Sequence, residues 1–313
     1  MGKFIAKRLL QLIPILFAVS IIAFGLVRVL PGGAAVAFLR AKNITPTAEA
    51  VAQAEKTLGL DKSVPEQYLI WVKDAVKLDF GKSYISNKRI TPEVFGSFLN
   101  TFGLAAMALV WVVLFSFPLG AISSLRPNGR FDHFSRAFAF VGASAPAFFV
   151  GFLLVALFSV KMGWFPSYGK KTFASYILPS LTMSFGFIAS YSRILRNSLL
   201  DNINSTNVLY AKGRGLSGKR VFFAHILRNS LIPVVTNFCL SFGHMLAGSV
   251  IVESVFSWPG MGGLIVSSIN GRDYPMIQAY VIVMALLFIG LNLLSDILCA
   301  LINPKIRFEG QAQ

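Results

Sequence analysis

Residues 94–125 read VFGSFLNTFGLAAMALVWVVLFSFPLGAISSL, an unbroken stretch from Val94 to Leu125 without one charged side chain. A helix needs about 20 apolar residues to cross ~30 Å of hydrocarbon. Inside lipid the backbone must satisfy its own hydrogen bonds, which leaves helices or closed barrels. The stretch is too long for a barrel strand and is read as a membrane-crossing helix. Five other uncharged runs obey the same rule: the span between Arg8 and Arg28, then Ala137–Val160, Thr172–Ser192, Asn229–Val252 and Tyr274–Ser295. The sequence therefore predicts an all-α polytopic membrane protein with about six transmembrane helices and both termini on one side. Composition agrees, since a chain of 313 residues that is 55% hydrophobic and 13% charged cannot cover a soluble surface. Cys239 and Cys299 each lie inside an apolar run, which excludes a disulfide framework and reads as packing.

A formal charge of +16 would suggest nucleic acid in a soluble protein, but here the charges sit in the connectors. Lys3, Lys7 and Arg8 precede the first run. Arg126, Arg130 and Arg136 follow the second, seven basic residues from Arg193 to Arg228 follow the fourth, and Lys305 and Arg307 close the chain. Only Asp132, Asp201 and Glu309 oppose them. Short loops rich in Lys and Arg stay inside the cell, so both termini are expected in the cytoplasm and the insert 31–98 outside. Arg28, at the outer end of the first run, is expected to snorkel to the interface. The basic start and Ala35-Val36-Ala37 resemble a cleaved leader, but the apolar run is too long for one.

The expected organisation is residues 1–30 as N-terminus and first helix, 31–98 as the external insert, 99–307 as the core, and 308–313 as a tail. Within the insert, Thr45-Pro46 reads as a cap with proline at the first helical position, and Gly59 as the stop. Ser63 and Glu66 have capping-box spacing ahead of an apolar stripe through Tyr68, Trp71, Val72, Ala75 and Val76. Two short amphipathic helices follow, serving either as a cap on the spans or as a docking surface.

The longest internal connector, about 193–230, carries the most information. Gly213, Gly218 and Lys219 imitate part of a phosphate-binding loop, but Arg220 stands where a metal-holding hydroxyl is needed and no buried strand precedes it. The connector reads instead as two short helices broken at Gly213–Gly215, the first apolar through Val208, Leu209 and Ala211. A basic amphipathic knuckle of this kind suits anionic lipid or a groove on a partner protein.

The pattern Ala211, Gly215, Leu216, Ser217, His225, Leu227, Arg228, Asn229 and Pro233 resembles the coupling loop of ABC importer permeases of the dipeptide, oligopeptide and nickel family. Val252–Gly262, with Glu253, Phe256, Trp258, Pro259 and Gly260, resembles a second element of that family. Leu78–Ser83, Arg272–Pro275, Asn303–Arg307 and the Lys7-Arg8-Leu9-Leu10 start resemble others, so the likeness covers essentially the whole chain. The acidic residue usual at the loop's start is replaced by Thr206 and Asn207. The resemblance implies type I importer architecture in the cytoplasmic (inner) membrane of a bacterium. It implies four kinds of partner: a homologous second permease, two ATP-binding subunits, a periplasmic or lipid-anchored substrate-binding protein, and membrane lipid, with no role for nucleic acid. ATP and magnesium would be used by the partner subunits, with no cofactor held here. Ala211, Gly215, Leu216, Ser217, His225, Arg228 and Asn229 would then couple ATP-driven closure to the spans.

Polar groups inside the spans are the candidates for a substrate path, because such groups are costly in lipid. They are Asn237, His244, Glu253, Asn292 and Asp296, with Met183, Met245 and Trp258. His244 beside Met245 has the donor chemistry of a soft-to-borderline metal such as nickel. The wording of Phe38–Thr47 and Lys212–Leu216 looks more like nickel permeases than peptide ones, so nickel or a nickel chelate is the expected cargo and peptide the alternative. A secondary transporter or channel would need inverted repeats or a filter motif, and an intramembrane enzyme an acid pair or a ligand cluster.

Overall fold

The computed structural model describes residues 2–29 and 33–302, and no strand forms among them beyond an isolated bridge between Lys82 and Arg89. The Asn303–Arg307 element and the tail after it lie outside the described residues, as do the side chains of Cys239, Asp296 and Cys299. In chain order the helices are α1 (Gly2–Val29), α2 (Gly33–Ala41), α3 (Ala48–Leu58), α4 (Val64–Val76), α5 (Ile90–Leu125), α6 (Arg130–Ser144) and α7 (Ala147–Leu154). After π-helical turns over Val155–Lys161 come α8 (Ile177–Ile203), α9 (Thr206–Gly213), α10 (Gly218–Val221), α11 (Arg228–Val255), α12 (Met261–Asn270) and α13 (Tyr274–Ile302).

Among the described residues, four stretches are long and apolar enough to cross a membrane: Leu10–Arg28, Ile90–Leu125, Phe173–Ile203 and Tyr274–Leu294. The expected fifth run lies within α11, whose 28 residues reach about 42 Å. The expected third run, Ala137–Val160, is not one straight helix: α6 and the α7 segment bend by 110°. Pro146 explains the break, because proline disfavours the helical conformation in the residue before it. Ala145 accordingly takes an extended backbone, ψ 126°.

The chain forms two compact units, one of residues 1–101 with Pro259–Gly290, the other of Phe102–Trp258 with the residues after Gly290. In the first, Ala23 of α1 joins Ile90, Val94, Met261, Met276 and Ala279 in a buried cluster. A second cluster packs Ala35 and Leu39 of α2 on Ala54 of α3. Helix α2 is not expected from the sequence, and the Ala35-Val36-Ala37 stretch that resembles a leader cleavage site lies within it, Ala35 and Ala37 buried. The α3 cap is Thr47, whose Oγ1 accepts from Ala50 N at 3.2 Å, two residues later than expected, while Gly59 ends the helix as foreseen. At α4, Ser63 caps by backbone position only. Glu66 turns to Lys62 at 3.3 Å, so the expected capping box does not form.

In the second unit, α5, α6, α7 and α11 pack around α8, with Leu104, Ala108, Leu178, Ile188 and Met245 among the buried residues. The approach of α6 to α8 depends on Gly142, where an added Cβ would stand 2.5 Å from Ala189 Cβ.

Candidate functional site

The connector between α8 and α11 folds as a capped knuckle. Ser205 begins α9 with an extended backbone. Val208 and Ala211 are buried against Leu195 and Leu199 of α8, together with Val221 and Ile226. Leu209, expected on the same face, is 60% exposed. It lies one residue from Val208, about 100° round the helix, whereas Ala211 lies three away on the same side.

Gly215 takes a left-handed backbone, φ +78°. This lets Leu216 N donate to Ala211 O at 3.3 Å and Gly215 N to Lys212 O at 2.9 Å, the paired bonds of a Schellman end. Leu216 packs in the same cluster as Ala211. Three positions read as a family pattern thus have a local physical job, which is to stop α9 and turn the chain into α10.

Ser217 begins α10 with an extended backbone and no side-chain cap. His225 and Asn229 are half-buried, and Arg228 is exposed. Leu209, Tyr210 and Phe223 are exposed apolar groups. Lys212, Arg214, Lys219 and Arg220 are exposed cations, with no acidic residue between Thr206 and Arg228. The Arg214 guanidinium lies 5.8 Å from the centre of the Tyr210 ring.

One buried cluster behind this knuckle went unread in the sequence. Asp132, fully buried on α6, accepts from Arg196 Nε at 2.5 Å and Nη2 at 2.7 Å. It also accepts from Ser123 Oγ at 2.5 Å and from Asn128 N at 2.9 Å, while Arg136 Nε lies 3.8 Å away. A desolvated carboxylate demands such donors. The cluster ties the end of α5 and the start of α6 to α8, seven residues before α8 ends at Ile203. The available signal was a lone acid among cations with an arginine on a neighbouring apolar helix.

The substrate-path candidates do not converge. Met245 is buried in the core while the adjacent His244 is exposed, so the two do not share a surface. Among the described residues no three His, Cys, Asp or Glu side chains are grouped to hold a metal ion. Asn237, exposed, donates Nδ2 to Pro233 O at 2.8 Å, and Met183 is a core residue. Glu253 and Trp258 are both buried, and Trp258 N donates to Glu253 O at 2.8 Å across a turn in which Ser257 is left-handed, φ 47°. The Tyr176 ring meets Trp258 edge-on at 4.5 Å between centroids.

In the other unit, two further sequence elements meet. Asp273, buried at the end of α12, accepts from Ser83 Oγ and from Tyr84 N at 3.1 Å. Ser83 Oγ in turn accepts from Ser86 N at 2.9 Å. Burial, and then the Asp273 carboxylate, push the Tyr84 hydroxyl above its ordinary pKa. Thr101 Oγ1 accepts from Met261 N at 2.8 Å and so caps α12.

Long apolar helices joined by an exposed basic knuckle fit a membrane protein, and known proteins give the family. Residues 116–308 match the binding-protein-dependent transport system inner membrane component, and residues 1–105 match its N-terminal counterpart. The chain belongs to this family of ABC importer permeases, membrane subunits without an ATPase site of their own. It is 40% identical over 309 residues to the "Glutathione transport system permease protein GsiC" of Pectobacterium atrosepticum, and equally to that of Escherichia coli K12. Each alignment covers 99% of this chain and 100% of the relative. Two solved structures share the fold. The inward-facing MetNI methionine ABC transporter has a TM-score of 0.56 at 14% identity, covering 67% of this chain and 96% of that one. An amino acid ABC transporter with histidines has a TM-score of 0.51 at 18% identity, covering 66% and 94%.

Proposed function

We propose that this chain is one of two homologous permease subunits that form a path for a short peptide. The peptide is passed on by a binding protein outside the cytoplasmic membrane, with both termini and the knuckle 206–228 inside. Two ATPase subunits, which use ATP and magnesium, seat on the knuckle. The observation that carries this reading is an exposed apolar and cationic surface on a helix whose other face is buried and whose end is fixed by Gly215. Ala211, Leu216 and Gly215 hold its shape, Ser217 starts α10, and His225, Arg228 and Asn229 lead into α11. His244 and Asn237 face the path, and Glu253 and Trp258 set the turn that bounds it.

The sequence taken alone points to nickel. The relatives named for glutathione, a tripeptide, favour its alternative, peptide, at 40% identity over nearly the full chain. Identification of the ligand held by the cognate binding protein decides the matter: a peptide is expected, and a nickel chelate would restore the first reading. For the coupling role, the tagged chain should copurify its ATPase, and Arg214→Glu with Arg220→Glu should release it. ATPase retention with undiminished uptake in that variant would refute the docking assignment.

A further inference from the structure

A cavity of ≈ 450 Å³ is lined by α1, α3, α4 and the start of α13. Its wall presents the cations Arg28, Lys56 and Lys62, with Asp74 the one carboxylate. Among them stand the apolar Phe24, Val27, Ile70 and Trp71 and the polar Tyr84 and Gln278. Arg28 is held in place without an acidic partner among the described residues. Its guanidinium lies 3.7 Å from the centre of the Phe24 ring and donates to Phe24 O at 3.3 Å and to Gln67 Oε1. Gln67 is itself fixed, donating Nε2 to Leu60 O at 3.0 Å and Lys62 O at 2.8 Å. Lys62 is shared with Glu66, and Lys56 is exposed.

The depth of this cavity follows from α1. Arg28 ends its apolar stretch, and Ser20 lies eight residues inward, about 12 Å along the helix axis. The Tyr68 hydroxyl of α4 is 2.7 Å from Ser20 Oγ, and the Tyr68 ring meets Phe24 edge-on at 5.2 Å. Helix α4 therefore lies alongside the last turns of the span, at the level where headgroups give way to acyl chains. Its outward side carries Leu69, 67% exposed, and Val76, 78% exposed, together with the exposed Lys73 and Glu66. An amphipathic helix of this kind at interfacial depth would lay its apolar groups among lipid and its charges among headgroups.

We infer that the cavity is a binding site for an anionic phospholipid of the leaflet on the insert's side. The phosphate sits between Arg28 and Lys56, and an acyl chain runs over Ile70 and Leu69. A guanidinium fork and an ammonium suit a phosphate, and the apolar wall beside them selects an anion that carries a hydrocarbon tail. The inference does not depend on the cargo or on which side of the membrane the insert occupies.

The assembled transporter is purified in detergent, washed, and its retained lipids are measured by mass spectrometry. Phosphatidylglycerol should be retained over phosphatidylcholine, and Arg28→Gln and Lys56→Gln should each lower retention by about fivefold. Arg28→Lys should restore most of it. Lys56→Gln, on the exposed face of α3, keeps the test valid if the Arg28 variant fails to assemble. In nanodiscs, brominated phosphatidylglycerol should quench the part of the emission that Trp71→Phe removes, and brominated phosphatidylcholine should not. Unchanged retention in the charge variants or equal quenching by both lipids would overturn the site. Displacement by free glycerol phosphate would reassign it to soluble anions, and loss of lipid on adding the binding protein would reassign it to protein docking; either overturns the lipid proposal.

Discussion

Asp132 and Asp273 are both buried carboxylates, and they are held by opposite means. Asp132 is neutralised by a two-pronged arginine and two further donors. Asp273 receives a serine hydroxyl and a backbone amide, with no cation bonded to it among the described residues. The first is a charge clamp whose halves sit on different helices. The second is a pin that fixes the shape of one loop against a helix end. Turns elsewhere in the chain show a second contrast. The knuckle uses glycine at its left-handed position, Gly215, where L side chains are strained. The turns at Ser257, Arg272 and Leu78 place ordinary residues in that conformation, φ 47°, 54° and 59°. The knuckle is relaxed where it is exposed, whereas the left-handed residues Ser257 and Arg272 adjoin the buried Trp258 and Asp273, which can hold their strain.

The largest effect should come from the clamp. Arg196→Gln leaves a buried charge with only Arg136 near, and should cost about 3 kcal/mol, read as a lower thermal midpoint in detergent. A loss under about 1 kcal/mol would mean that Arg136 takes over and that the two aspartates are closer in kind than their partners suggest. The pin should cost less. Ser83→Ala leaves one Asp273 oxygen unmet, about 1–3 kcal/mol, and should raise amide exchange in residues 82–90 before the rest of the chain. The helix ends should give the smallest effects, with opposite signs. Gly215→Ala should destabilise by about 1–2 kcal/mol and reduce uptake further than stability. Ser257→Gly should be neutral or gain up to ~1 kcal/mol, because relief of the left-handed strain is set against glycine's added chain entropy. A destabilising Ser257→Gly would show that the strain argument fails there.

The helical runs were legible because a charge inside hydrocarbon is so costly that its absence over 20 or more residues is a strong signal. The knuckle was legible because its break is encoded locally by Gly213 and Gly215. The paired aspartates were not. Asp132 and Arg196 are 64 positions apart and Ser83 and Asp273 are 190 apart, so no window along the chain contains both partners. The bend at Ala145 had a local signal in Pro146, but the run's unbroken hydrophobicity outweighed it. Leu209 went to the wrong face because neighbouring apolar residues on a short helix cannot all point inward. His244 and Met245 failed as a pair for the same reason.

The two exits from the knuckle are not alike. On the α8 side the chain leaves regular helix at Asn204 and Ser205 before α9 begins. On the other side α10 runs through the π-helical turns Phe222–Leu227 into α11 without leaving helical geometry. A joint on one side and a shaft on the other make the knuckle a crank. A push on the exposed cations of α10 would enter α11 without crossing a break in the helix, whereas along the chain toward α8 it would first cross the joint at Asn204 and Ser205.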